Sequence, residues 1–432
     1  MTLRIDVVGL GVSAHAVLDG AARDALSSAS YVLGSSRQLE TVVDFIRHDS
    51  AVELPPLMVL RSCIDAYRER GIDRIAILAS GDPLYYGIGR WLGRQFSLEK
   101  GDDVSLCFHP AISSIQASCH RLALSLQDAK VVSLHGRPLA LLRRHLVAQQ
   151  TLIILTDTKS NPVALAHECR ELGFEQANIT VCEQLGYEQE RVRRFTIDQL
   201  LTTPTEKLSF NLLHVSVIET GVNAGFLPSF PGIADEHFIT DAESGRGLLS
   251  KREVRLTILS LLSPAPCDVV LDIGAGCGGV SIELARWAID SKVIAVEHHR
   301  ERLLCLEANR QRFGVVDNLE IIAGRAPDCL DEDVFPSLEA VNKLFIGGSD
   351  GELPALLERQ WQRLPRGGVL VASAVTETTK QQLLRFISMV DARCETLQLA
   401  VSKGGELAGQ LLYRPSLPVT LFKLVKVEAL DE

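Results

Sequence analysis

The stretch "VVLDIGAGCGGVSIELA", residues 269–285, decides how this chain is read. Val269, Val270 and Leu271 run without polar alternation ahead of Asp272, as in a strand covered on both faces. Three glycine positions follow, Gly274, Gly276 and Gly278, where the backbone can turn sharply and approach a ligand. A helix from about Gly279 then points its first amides towards that ligand. As written, "GAGCGG" satisfies GxGxxG, so a dinucleotide loop is one reading. Asp272 lies two residues before the first glycine, and a pyrophosphate beside that charge is disfavoured. The next apolar run, "KVIAVE", ends on Glu297, where an acid suits a ribose diol.

Outward from this unit, the pattern repeats. Strands are expected at 268–273, 292–297, 319–323, 341–346 and 367–373, and helices at 279–288, 300–313, 350–363 and 376–390. Residues 396–427 hold two strand-like segments without a helix between them, an antiparallel hairpin closing a parallel sheet. Upstream, short apolar runs such as "RIDVVGLG" (4–11), "RIAILASGD" (74–82) and "TLIILTD" (151–157) alternate with amphipathic stretches, including 159–172 with Pro162 in its first turn. This is α/β organisation with a largely parallel sheet in each half. The segment 220–238, rich in glycine and proline, shows no period and reads as a connector. The expected division is a first domain at 1–225, a linker at 226–237 and a second domain at 238–432.

A chain of 432 residues exceeds one ordinary core. The net charge of −10 and few aromatics disfavour a nucleic-acid partner. No run approaches the roughly 18 apolar residues of a membrane span. No secretory leader pattern opens the chain. The ten cysteines form no CxxC pair, so neither zinc nor a disulfide framework is expected. The protein is therefore expected in the cytoplasm, without a metal, a nucleic-acid partner or a membrane partner.

Asp272, Glu297 and the terminal hairpin together resemble the S-adenosylmethionine methyltransferase fold. In the first half, "VVGLG" (7–11) and "ASGDPLYYGIG" (79–89), with "HPAISSIQASCHRL", "LTDTKSNPVALA" and "CEQLGYEQERV", resemble the tetrapyrrole methylase family over most of residues 3–220. Val12-Ser13 stands where that family often has Pro-Gly. The second half, from "GIADEHF" (232–238) through "LLSKREVR", resembles the decarboxylating precorrin methylases, with Cys277 where threonine is frequent. The order of the two modules is that of the bifunctional members of that group.

The resemblance implies two methylations of precorrin-6Y, at carbons 5 and 15, with loss of carbon dioxide from the ring-C acetate to give precorrin-8X in cobalamin synthesis. It implies S-adenosylmethionine at two sites per chain and a homo-oligomer. Cofactor contacts are expected from Gly9, Gly11, Gly81, Asp82 and Pro83 in the first half. In the second they are expected from Asp272, Gly274, Ala275, Gly276, Cys277, Gly278, Glu297, Gly324 and Ala326, with Arg325 beside the adenine. The substrate is a polycarboxylate, which arginine binds well. Candidates are Arg121, Arg137, Arg191, Arg193 and Arg194 in the first half, and Lys251, Arg252, Arg255, Gly347 and Gly348 in the second. His109, His120 and His135 are acid–base candidates, but no side chain stands out as catalytic. Two other readings are an RNA methyltransferase with an accessory N-terminal domain and a non-catalytic cofactor- or tetrapyrrole-binding protein.

Overall fold

The computed structural model describes residues 2–96, 103–222, 227–242, 248–331 and 333–427. It divides into two compact units, Met1–Arg137 with Ala148–Asn223, and Pro138–Val147 with Ala224–Glu432. The segment 138–147, which the sequence reading keeps in the first domain, groups with the second unit.

The first unit holds two sheets. One is all parallel, formed by β1 (Leu3–Gly9), β2 (Tyr31–Gly34), β3 (Ala51–Glu53), β4 (Arg74–Ala79) and β5 (Val104–His109) in the order β3-β2-β4-β1-β5. Its central strands are covered on both faces. Ile5, Val7, Ile75 and Ile77 enter one cluster, while Val8, Ala76 and Leu78 enter another. That double burial explains their unbroken apolar sequence.

The second sheet comprises β6 (Ala129–Ser133), β7 (Thr151–Leu155), β8 (Asn178–Glu183), β9 (Arg191–Thr196) and β10 (His214–Glu219) in the order β6-β7-β10-β8-β9. Only β6 and β7 pair in parallel. The expectation of a largely parallel sheet is corrected here. The helix Pro162–Glu171 does carry the chain from β7 to a co-directional β8, and Asn161 caps it with Pro162 in its first turn. However, β10 slots antiparallel between those two strands, and β9 returns from β8 as a hairpin.

The second unit has one seven-stranded sheet: β11 (Val269–Ile273), β12 (Lys292–Glu297), β13 (Leu319–Ala323), β14 (Lys343–Ile346), β15 (Val369–Ala374), β16 (Ala392–Leu399) and, after a separate hairpin of β17 (Ser402–Leu407) and β18 (Gln410–Pro415), β19 (Val419–Lys426). The order is β13-β12-β11-β14-β15-β19-β16. The chain steps from β11 outward to β13, then restarts with β14 on the other side of β11. Such a switch point opens a crevice at the carboxyl ends of β11 and β14. Strands β16 and β19 form the antiparallel edge. The sequence shows two segments there because β17 and β18 are exposed throughout and lack an apolar alternation pointing to a core.

Candidate cofactor sites

Each unit has a cavity at the carboxyl ends of its strands. In the first unit, Leu10 and Gly11 follow β1, Ser80 and Gly81 follow β4, Thr156 follows β7, and Gln184 and Leu185 follow β8. These residues line a cavity of about 300 Å³. Gly11 and Gly81 are joined by a backbone bridge, with the Gly81 amide 3.0 Å from the Gly11 carbonyl. Gly9 lies just behind. A Cβ there would sit 2.8 Å from the Gly81 carbonyl and 2.9 Å from Pro83, so only glycine lets the two turns meet.

Asp82 and Pro83 are outside the lining and shape the wall instead. The Asp82 carboxylate accepts from the amides of Leu84 (2.8 Å) and Tyr85 (3.0 Å), as turn chemistry predicts. His214 is deeper in the wall. Its Nδ1 faces the Asn211 carbonyl at 2.6 Å and its Nε2 faces the Thr156 hydroxyl at 2.8 Å. A carbonyl only accepts, so Nδ1 carries the proton. Burial lowers the His214 pKa, against the opposing pull of that carbonyl.

The arginines nominated in the first half are not on this wall. Arg121 is paired with Glu190, Arg193 with Glu183 at 2.9 Å, and Arg194 with Glu219 at 2.7 Å. Arg137 and Arg191 also lie outside the lining, whereas His135 and Arg37 are in it. Of the other histidines, His120 sits on the helix Ser114–Leu122 outside the lining. His109 Nε2 donates to the carboxylate of buried Asp6 at 2.9 Å. Asp6 also takes Arg74 at 2.7 Å and Arg4 at 3.0 Å. Burial alone would raise its pKa, but hydrogen bonds from Arg4, His109 and Arg74 prevail and hold it at about 2. Cys107 completes a cluster with Asp6 and His109. The two guanidinium groups already supply the positive charge that a metal would bring.

In the second unit a cavity of about 160 Å³ is lined by residues that include Gly274, Glu297, His298, Gly324, Arg325, Ala326, Gly348 and Asp350. This is the switch-point crevice. Gly274 has φ +72°, and a Cβ there would stand 2.6 Å from the Gly348 carbonyl and 2.7 Å from its amide. The loops after β11 and β14 therefore meet this closely because position 274 is glycine. Gly347 backs this contact, its amide 3.0 Å from the Ile273 carbonyl.

Glu297 reaches the cavity with both oxygens oriented. One accepts from the Gly276 amide at 2.9 Å, the other from the amides of His298 (2.9 Å) and His299 (2.8 Å). Asp272 lies beneath the loop, fully buried. One oxygen accepts from the Ser281 hydroxyl and the other, Oδ1, has no partner among the described residues. Burial is the main reason its pKa is pushed up to about 7; Ser281 opposes the rise and Glu297 adds to it. A buried acid with an unused oxygen and a glycine turn with no room for a side chain fit a cationic nucleoside ligand such as S-adenosylmethionine. Ala275, Gly276, Cys277 and Gly278 form the turn but are absent from the lining; the Leu248 carbonyl accepts from the Cys277 amide and lies against Gly276. The buried Cys277 thiol, 3.6 Å from Asp241, is pushed up to about 12 by burial and is unreactive.

Arg255 corrects the sequence reading. It is no substrate contact, for its side chain is wholly buried. Its guanidinium pairs with Asp235 at 2.6 Å and Glu283 at 3.2 Å, bonds the Ile233 carbonyl, and lies over the Phe238 ring at 4.7 Å. Glu283 in turn accepts from the amides of Gly232 and Ile233 and from the Trp287 indole. This node fastens residues 232–238 to the helices Arg252–Leu262 and Gly279–Trp287. Lys251 and Arg252 stay near the surface, 3.9 Å from Asp235 and 3.5 Å from Glu253 respectively, and outside the cavity lining. Helical spacing shows that the three cations are near each other in sequence, but not which one turns inward.

Sequence reasoning missed Arg37, Gln38, Ser80, Thr156 and His214 at the first cavity, and His298, Arg302 and Asp350 at the second. Ser80 was legible in principle, since it immediately precedes the Gly81-Asp82-Pro83 turn. The others depend on how distant loops converge.

Two family descriptions match, one to each half: "Tetrapyrrole (Corrin/Porphyrin) Methylases" over residues 4–201 and "Precorrin methyltransferase domain" over residues 241–426. The precorrin-6Y C(5,15)-methyltransferase [decarboxylating] of a Sinorhizobium species is 32% identical over 98% of this chain and 96% of its own. The chain belongs to the decarboxylating precorrin-6Y C(5,15)-methyltransferases. A probable cobalt-precorrin-6B C(15)-methyltransferase (decarboxylating) from Pyrobaculum calidifontis is 33% identical over 40% of this chain and 85% of its own. A solved precorrin-6Y C5,15-methyltransferase structure from Geobacter metallireducens is 30% identical, covers 45% of this chain and 98% of its own, and has a TM-score of 0.41. Membership of this family accounts for both halves, including the first-half turns that a single methyltransferase domain would leave unexplained.

Proposed function

We propose that this chain methylates precorrin-6Y at carbons 5 and 15 and removes the ring-C acetate carboxyl, with one S-adenosylmethionine site in each unit. The observation that carries this reading is the presence of two separate cavities, each built from glycine turns at strand carboxyl ends. Carbon-15 methylation and decarboxylation are assigned to the second unit. The Pyrobaculum relative, matching over 176 residues, carries both activities in one name. Carbon-5 methylation then falls to the first unit.

When bound, the cofactor supplies a methyl group that its sulfonium has already activated. The chain's part is alignment, which can contribute several powers of ten without a strong base. Glu297, fixed by three amides, offers the remaining lone pair of Oε2 to a ribose diol. Asp272 puts negative charge beneath the loop where a cation is expected. Gly274 lets the loops after β11 and β14 close on one another with no side chain between them. Decarboxylation draws on the macrocycle's own conjugation as electron sink, assisted by desolvation of the acetate.

Incubation with labelled cofactor and precorrin-6Y tests the reading: two labelled methyls gained and one carbon dioxide lost are expected, and no methyl gain overturns it. The resemblance also implies a homo-oligomer, and a monomer mass by light scattering contradicts that part. No helix among the described residues is long and apolar enough to cross a membrane. A cytoplasmic location accords with that and is tested by cell fractionation.

A further inference from the structure

Among the described lysines and arginines, only Arg37 is in the lining of the first cavity. It is exposed, and no carboxylate of the described residues lies within 4.0 Å of it. Its guanidinium approaches the Ser80 hydroxyl at 3.4 Å. Gln38 donates to that same oxygen at 3.0 Å. Gln38 is itself held by a capping box, its carbonyl accepting from the Ser35 amide at 2.8 Å.

A hydroxyl has two lone pairs and one hydrogen. Both lone pairs of Ser80 face donors, so its hydrogen is left to donate. Arg37 has five N–H groups, of which one is used. The result is a group of donors without an acceptor, at the edge of a cavity whose wall also carries Leu10, Leu155, Leu185 and Leu213. An apolar body bearing an acidic arm fits that combination.

Resting on the reading above, we propose that Arg37 and Ser80 form a carboxylate-binding subsite of the first cavity, with Gln38 as its positioning residue. The carboxylate is a peripheral acid of the macrocycle or the α-carboxylate of the cofactor; both offer two oxygens to a fork of donors.

The test uses the full chain carrying Gly274→Ala, so that methyl transfer reports the first unit. Arg37→Ala, Arg37→Lys and Ser80→Ala are compared for KM of precorrin-6Y, kcat, cofactor Kd and melting temperature. Equilibrium dialysis of precorrin-6Y against the full chain is run in parallel. We expect Arg37→Ala to raise either the macrocycle KM or the cofactor Kd about 10- to 100-fold, with the melting temperature unchanged. Whichever constant moves names the source of the carboxylate. Arg37→Lys recovers part of the loss, since it keeps the charge but not the fork. Unchanged KM, Kd and dialysis overturn the subsite. So does a loss tracking a lower melting temperature that lysine does not rescue. If the Gly274→Ala chain transfers no methyl at all, the assignment of carbon 5 to the first unit fails, and the dialysis arm still decides the role of Arg37.

Discussion

Asp272 is a buried acid that costs the fold stability. Its carboxyl titrates at about 7 in the fold, against roughly 3.9 in the unfolded chain. The native state therefore holds the proton more tightly, and its stability falls as pH rises from about 4 to about 7. Asp272→Asn is expected to raise the melting temperature at pH 8 and leave it unchanged near pH 4. It should also weaken cofactor binding at the second cavity about 10- to 100-fold. Asp6 has the opposite sign. With its carboxyl held at about 2, it stabilises the fold above its unfolded value near 4, and that contribution disappears as pH falls towards 2. Asp6→Asn should cost about 2 kcal/mol at neutral pH and nothing near pH 2, as read by denaturant titration. Glu297 and Gly274 were legible because a strand, a turn and the next strand end fix their places locally. Arg37 and Arg255 were not. Whether an arginine faces a cavity or a buried acid depends on partners more than twenty residues away in sequence, such as Glu283 for Arg255.

At the level of elements, the contact between the loops after β11 and β14 holds the second site in shape. Gly274→Ala places a methyl within 2.6 Å of the Gly348 carbonyl, at a φ that alanine rarely adopts. Loss of one methyl transfer with the other retained is expected, measured by product mass. The Arg255 node is a separate device. Arg255→Met leaves buried Glu283 without its cation and takes the nearest one from Asp235, and should cost about 3–5 kcal/mol in chemical denaturation. If macrocycle KM rises instead, with stability intact, Arg255 acts on the substrate. Most strands of the parallel sheets were readable from continuous apolar runs, but the three-residue, largely exposed β3 was not. The antiparallel β10 between β7 and β8 was not, because local sequence fixes a strand but not its neighbour. Nor were β17 and β18 legible, being exposed on every residue.

For the whole molecule, two α/β units each carry a cavity at the carboxyl ends of their strands, and the account gives each its own methyl transfer. The units differ in construction: one combines a parallel with a mixed sheet, and the other has a single sheet with a switch point. Two different glycine turns in one sequence already pointed to the strand ends where the two cavities lie, whereas the grouping of residues 138–147 with the second unit emerged only in three dimensions. The most direct test is the product made by the Gly274→Ala chain from precorrin-6Y and methyl-labelled S-adenosylmethionine. The account predicts one labelled methyl, at carbon 5, with the ring-C acetate intact. Two labelled methyls, none, or loss of carbon dioxide would contradict the division of labour between the two units.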